Sequence, residues 1–306
     1  MITRLALSVA TALTLALSAP AHAAGGSGTG LDAEALLKDL GAAERIAQSG
    51  KLRMLSQRIA ATACNRVAGI LVEDADKHLT RSVRDYRRIL AGLEKGDDGL
   101  GLYGAETDRK ILRDVAQLGE IWAPLDATFE TTANAELSPA DVVAITQTAP
   151  ALLDISKRLV GIVAAEYSDP TQMVQSDAIL LQIAERQRML EQEIANATCM
   201  IAEGIEVETA QDKLAAAADL YEISLGALRN GMPEAGVSGP PTQAIDLWLG
   251  DIAARWTDLR PTLDAFGQGQ SITPEDRAFV FSEMNKLTWM MNVTVGQYTE
   301  ASKLKF

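Results

Sequence analysis

The chain has 306 residues, of which 47% are hydrophobic and only 5% aromatic, and its 41 acidic and 28 basic side chains give a net charge of −13. An apolar fraction carried by small aliphatic residues favours helices over sheets. The acidic balance, with no basic face that could release counterions, argues against a nucleic-acid partner. Two histidines and two cysteines leave few of the residues that hydrolytic and metal chemistry use.

Residues 1–23 are typical of a secretory signal peptide. Arg4 supplies the positive start, an apolar run follows, and Ala21-His22-Ala23 has the small-x-small pattern of a cleavage site. The alternative is an uncleaved membrane anchor, which the short run and Pro20 disfavour. Residues 24–30 are rich in glycine and predict a flexible lead-in. We therefore expect an exported soluble protein, which is periplasmic if the source has two membranes.

The rest of the chain contains an internal repeat. Residues 51–60 resemble residues 186–195 at an offset of 135 residues, and the same offset keeps other residues in register far along the chain. Identical pairs at this offset include Arg53/Arg188, Met54/Met189, Gln57/Gln192, Cys64/Cys199, Tyr86/Tyr221, Pro139/Pro274 and Asp141/Asp276. A fixed register over this length predicts two units, residues 31–168 and residues 169–306.

Each unit is predicted to contain four helices, because long proline-free stretches carry apolar residues three and four apart. In the first unit the helices are expected at Leu31 to about Val72 (one helix, or two joined near Gly50), Asp74 to Leu93, Glu106 to Thr131, and from Ser138 onward.

The fourth helix of each unit is preceded by a helix-start pattern, Ser138-Pro139 with Asp141 and Thr273-Pro274 with Asp276. Four helices with short connections favour an up-down bundle. The predicted fold class is therefore all-α, with two tandem four-helix bundles.

The two cysteines occupy equivalent positions in the two units. If the first helices of the units pack side by side and parallel about a pseudo-two-fold axis, Cys64 faces Cys199. A disulfide needs Cα atoms closer than the usual helix spacing, which neighbouring alanines would allow. In an oxidising compartment we expect a Cys64–Cys199 bridge, with two buried free thiols as the alternative.

The same symmetry brings two arginines together. Arg53 and Arg188 each lie eleven residues before a cysteine, which is three helical turns plus about 20°. Two guanidinium groups facing each other repel unless something negative lies between them, and their planar forks suit a planar oxyanion. The alternative is that both arginines point into solvent beside Lys51 and Arg186.

Around Arg53 the sequence resembles the PilJ/NarX-type sensor domain, the input module of nitrate and nitrite sensors and of some pilus-linked chemoreceptors. Gly50, Arg53-Met54, Ser56 and Arg58 match its motif in order. The second copy keeps Arg188-Met189 but has Glu185, Glu191 and Glu193 where the motif has glycine, serine and arginine.

The resemblance implies that an anion lies between two first helices. It implies Arg53 and Arg188 as ligands, with Gly50 allowing close backbone approach. Gln57, Gln192, Arg58 and Glu185 are candidates for supporting positions around them. Glu185 lies one helical turn from Arg188, so it could pair with that arginine and compete with the anion, or orient its guanidinium.

Two functions remain open at this point. The first is an exported sensory protein that binds a small oxyanion, nitrate or nitrite, and signals to a membrane receptor or other envelope protein. The second is a structural or adaptor protein with a degenerate anion site. No enzyme, cofactor or metal is expected, and we expect His78 to lie on a solvated helix face and Trp122 and Trp256 to fill the core.

Overall fold

The structure, a computed structural model, describes residues 33–131, 137–167 and 175–303. These residues form eight α-helices and two short 3-10 helices, with isolated bridges as the only strand-like pairing in the described part. The α-helices are α1 (Ala33–Val67), α2 (Val72–Lys95), α3 (Arg109–Thr131), α4 (Pro139–Tyr167), α5 (Gln175–Ala202), α6 (Val207–Asn230), α7 (Gln243–Gly267) and α8 (Pro274–Lys303). The predicted all-α fold class is confirmed.

Some predicted features lie outside the described residues: the signal peptide at 1–23, the lead-in at 24–30 and the unit boundary at 168–169. Within the described ranges, no helix combines the length and the apolarity that a membrane crossing requires.

The helix-start patterns form the caps that the sequence predicts. The Ser138 Oγ accepts a hydrogen bond from the Asp141 backbone N–H at 3.2 Å, and the Asp141 carboxylate accepts one from the Ser138 N–H at 2.8 Å. Thr273 and Asp276 exchange the same pair of bonds, both at 3.1 Å. Each pair satisfies N–H groups that the first helical turn leaves without partners.

The turns after α1 and α5 share a conformation that the sequence did not predict. Leu71 and Glu206 precede α2 and α6 with φ angles of 44° and 45°, in the left-handed region where non-glycine residues are uncommon. These positions are 135 residues apart, so the unusual backbone recurs with the repeat. The first helix is continuous through Gly50, which settles the choice between one helix and two.

One hydrophobic core runs through both groups of four helices. Helix α1 packs against α2, α4 and α5, and α5 packs against α6 and α8. Tyr86 and Trp122 place their ring centroids 4.4 Å apart, and Tyr221 and Trp256 do the same at 4.4 Å. Both tryptophans are buried, as expected for core residues.

Helices α1 and α5 lie side by side and parallel. Three contacts run along them in the same order: Arg53 with Glu185, Gln57 with Asn196, and Cys64 with Cys199. We call this line of contacts the α1–α5 seam. The cysteines form the predicted disulfide, with Cα atoms 6.2 Å apart. Packing of the two first helices is therefore observed, and the pseudo-two-fold axis stays a prediction.

Candidate functional site

At one end of the α1–α5 seam, two arginines face a single carboxylate. Arg53 Nη2 of α1 lies 3.7 Å from Glu185 Oε2, and Arg188 Nη2 of α5 lies 3.7 Å from Glu185 Oε1. The side chains of Arg53, Arg188 and Glu185 are 12%, 11% and 6% exposed. The carboxylate thus lies between the two guanidinium groups in a mostly buried position, and each of its oxygens faces one of them.

Gly50 makes this arrangement possible from the α1 side. A Cβ atom at this position would lie 3.0 Å from Glu185 Oε2 and 3.5 Å from Arg53 Nη2. The first distance is shorter than ordinary van der Waals contact, so a larger residue would push the carboxylate away. Glycine at residue 50 therefore leaves room for the Glu185 carboxylate beside the backbone of α1.

Burial shifts the ionisation of both partners. It lowers the pKa of Arg53; nearby Glu185 acts the other way, and the positive charges of Arg188 and Arg186 add to the lowering. Burial also raises the pKa of Glu185, although Arg188 and Arg53 act against that change. For both groups, the effect of desolvation on the pKa therefore exceeds the effect of the opposite charge. This agrees with the 3.7 Å contacts, which are too long for a strong charge-assisted hydrogen bond.

The arginines retain unused hydrogen-bond donors. The buried Nε atoms of Arg53 and Arg188 have no hydrogen-bond partner in the described part of the chain. Arg188 Nη1 donates to Asn292 Oδ1 of α8 at 2.7 Å, which fixes that guanidinium from one side. One carboxylate at 3.7 Å therefore leaves two buried N–H donors without a partner and only partly compensates the two positive charges.

A family described as "PilJ: Type IV pili methyl-accepting chemotaxis transducer N-term" matches residues 35–148 and 171–279, well over half of the chain. The chain belongs to this family. The two matched segments each contain one arginine of the seam. A search of curated proteins finds no match. The family is one of sensor domains, which indicates a sensory role in signalling for the chain.

In this PilJ-family chain the other predicted supporting residues contact neighbours away from the arginine pair. Gln57 donates to the Ala149 carbonyl at 3.3 Å and accepts from Asn196 at 3.4 Å. Gln192 donates to Thr288 Oγ1 at 2.7 Å. These side chains tie the seam to α4 and α8.

Arg58 and His78 form a separate cluster between α1, α2 and α8. Arg58 Nη2 lies 2.9 Å from His78 Nδ1 and 3.0 Å from Asn285 Oδ1. Burial and then the Arg58 charge lower the pKa of His78 to about 4. His78 is half-buried on a face of α2 whose neighbours Lys77 and Arg81 are exposed, so the expected solvated face is found only in part, and Arg58 contacts the imidazole from α1.

Sequence reasoning named Glu191 as a departure from the motif and missed that this carboxyl group, one helical turn from Arg188, is buried. Glu191 is fully buried, accepts a hydrogen bond from the Tyr221 hydroxyl at 3.1 Å, and has its pKa raised by burial to about 8. The first copy has Ser56 at the equivalent position. The available signal was a glutamate on a helix face that is buried in both copies.

Proposed function

We propose that the chain is a sensory unit that binds a small planar oxyanion, nitrate or nitrite, between Arg53 and Arg188. The observation that carries this proposal is the position of the Glu185 carboxylate, whose oxygens face one guanidinium each at 3.7 Å. A carboxylate is itself a planar oxyanion, with two oxygens on one central atom. Its placement supports the proposal that the seam between Arg53 and Arg188 has the shape and charge to hold such a group.

The balance of charge favours an external anion as well. Arg53 and Arg188 are about 90% buried, and Glu185 is the single acidic side chain that pairs with them among the described residues. Arg186 adds a third positive charge near Arg53. Because uncompensated buried positive charge is costly, an oxyanion that contacts both guanidinium groups more closely than the Glu185 carboxylate does would stabilise the seam.

Binding at this position suits a sensor because it lies between two packed helices. The disulfide fixes the distance between α1 and α5 at Cys64 and Cys199, three turns from the arginines. An anion that draws the two guanidinium groups together would favour one relative placement of α1 and α5 at the arginine end of the seam. We propose that an envelope protein or membrane receptor reads this shift, and that the chain is exported to the periplasm, where domains of this family are typically found in receptors.

The test is isothermal titration calorimetry of the full chain with nitrate, nitrite and chloride. We expect saturable heat with the planar oxyanions and a loss of affinity of at least about tenfold in Arg53→Ala and Arg188→Ala. Arg66→Ala is the matched control, because Arg66 lies on α1 and pairs with Asp76 on the protein surface. Absence of saturable heat with every anion would overturn the proposal.

An adaptor protein that binds an envelope partner without an anion is the second candidate. It is favoured by Glu185, which already compensates part of the arginine charge. In that case partner binding would be the same with and without nitrate, and unchanged in Arg53→Ala.

A further inference from the structure

We propose that Glu185 is an internal competitor of the anion, held on α5 so that its carboxylate occupies the place between Arg53 and Arg188 and must be displaced when the anion binds. This inference rests on the proposed anion site and adds the residue that sets its affinity. A competitor attached to the protein has a constant local concentration, so it defines the anion concentration at which the sensor responds.

The geometry places Glu185 in the path of the ligand. An anion placed between the two guanidinium groups would lie beside Arg53 Nη2 and Arg188 Nη2, the two atoms that the Glu185 oxygens face. The anion and the Glu185 carboxylate cannot both contact these two atoms closely, because two negative groups would then touch in a buried position.

The contacts of Glu185 are weak enough to be exchanged. At 3.7 Å they exceed hydrogen-bond distance, and the Glu185 carboxylate accepts no hydrogen bond from any residue in the described ranges. A free oxyanion can approach each guanidinium more closely, because it is not tied to a backbone. The Glu185 carboxylate is thus close enough to occupy the position between the arginines, and its contacts are weak enough for an anion to displace it.

The two copies differ in a way that fits this role. Gly50 and Glu185 are equivalent positions in the repeat, separated by the offset of 135 residues. The missing side chain of Gly50 provides the space into which the Glu185 carboxylate projects, since a Cβ there would lie 3.0 Å from Oε2. One copy supplies the space and the other the competing group.

Displacement also links anion binding to protons. Arg53 of α1 and Arg188 of α5 are the charged groups that act on Glu185. Arg186 also acts on Arg53, and Arg188 also acts on Glu191. Helix α8 contributes the uncharged Asn292, which accepts a hydrogen bond from Arg188. Burial already raises the pKa of Glu185. A carboxylate that gives up both arginines to an anion is stabilised less, so it takes up a proton, and anion affinity falls as the pH rises.

The experiment compares nitrate titrations of the full chain as wild type, Glu185→Gln and Glu185→Ala. Glu193→Gln is the matched control, a glutamate of the same helix whose charged neighbours are Lys157, Lys213 and Asp154. Titrations are run at about pH 5 and about pH 7. Both values lie below the pKa of Glu191, which is about 8, so that this buried carboxyl group stays mostly protonated in both. Circular dichroism confirms that each variant keeps its helix content.

We expect both Glu185 variants to bind nitrate about tenfold or more tightly than wild type at the higher pH, and to lose most of the pH dependence. Glu193→Gln should behave as wild type. If wild type binds and neither Glu185 variant binds more tightly, the competitor role is overturned and the anion site stands. If wild type and both variants fail to bind, the anion site itself is overturned.

Discussion

Cys64 and Cys199 join α1 and α5 with their Cα atoms 6.2 Å apart, within the range that a disulfide requires. Small buried residues precede the cysteines on both helices: Ala60, Ala61, Ala63, Ala195 and Ala197. The covalent link and the arginine pair lie on the same seam, three turns apart. One end of the seam is therefore fixed covalently, and the other is held by charges that a ligand can rearrange.

Removing the disulfide should destabilise the fold substantially. The link closes a loop of 135 residues, and the loss of this constraint on the unfolded chain is expected to cost about 3–5 kcal/mol. Urea unfolding of the Cys64→Ser/Cys199→Ser double variant should therefore show a lower midpoint than wild type. Addition of a reductant should lower the wild-type midpoint and leave the double variant unchanged. Equal midpoints for oxidised wild type and the double variant would contradict the structural role.

Glu191 should make stability depend on pH. Its folded pKa of about 8 lies above the ordinary 4.5, so the folded protein holds a proton that the unfolded chain releases. The stability that this proton contributes is complete below about pH 4.5 and is lost as the pH rises to about 8. The loss is roughly 2–5 kcal/mol.

Urea midpoints at about pH 5 and about pH 8 test this expectation. Glu191→Gln should lose less stability over that interval than wild type, because its amide does not ionise. Glu208→Gln, at an exposed position of α6, is the control and should follow wild type. The same pH dependence in wild type and Glu191→Gln would show that this carboxyl group is not the source.

His78 should titrate far below the usual range for histidine. Burial and the Arg58 charge place its pKa at about 4, so the imidazole is neutral at neutral pH. Stability is then lost as the pH falls from about 6.5 towards about 4, because the unfolded chain takes up the proton first. Histidine proton shifts followed by NMR should give this value, with His78→Gln identifying the resonance. A midpoint near 6.5 would place the ring in solvent and contradict the contact with Arg58.

Features repeated in the sequence were the most predictable part of this fold. The offset of 135 residues predicted the pairing of Cys64 with Cys199, and with it the packing of the two first helices. The fourth helix of each unit begins at Pro139 and Pro274, as their caps predicted. Both follow from local rules: helix periodicity, capping chemistry, and the equal positions of equal residues in two copies.

Contacts that cross between helices were less predictable. The sequence placed Glu185 within reach of Arg188 on the same helix, yet its second contact, with Arg53, depends on how close α5 comes to Gly50. The contact of His78 with Arg58 was not predicted for the same reason, since Arg58 reaches it from another helix. Periodicity within one helix identifies the buried face and leaves open which long side chains meet there.

The central claim is that an oxyanion binds between Arg53 and Arg188 in place of the Glu185 carboxylate. A crystal structure of the protein grown in nitrate tests it most directly. The account predicts density for a planar anion within hydrogen-bond distance of both guanidinium groups, with the Glu185 carboxylate displaced from its two 3.7 Å contacts. A Glu185 carboxylate still between the two arginines at saturating nitrate, with no anion density beside it, would contradict the account.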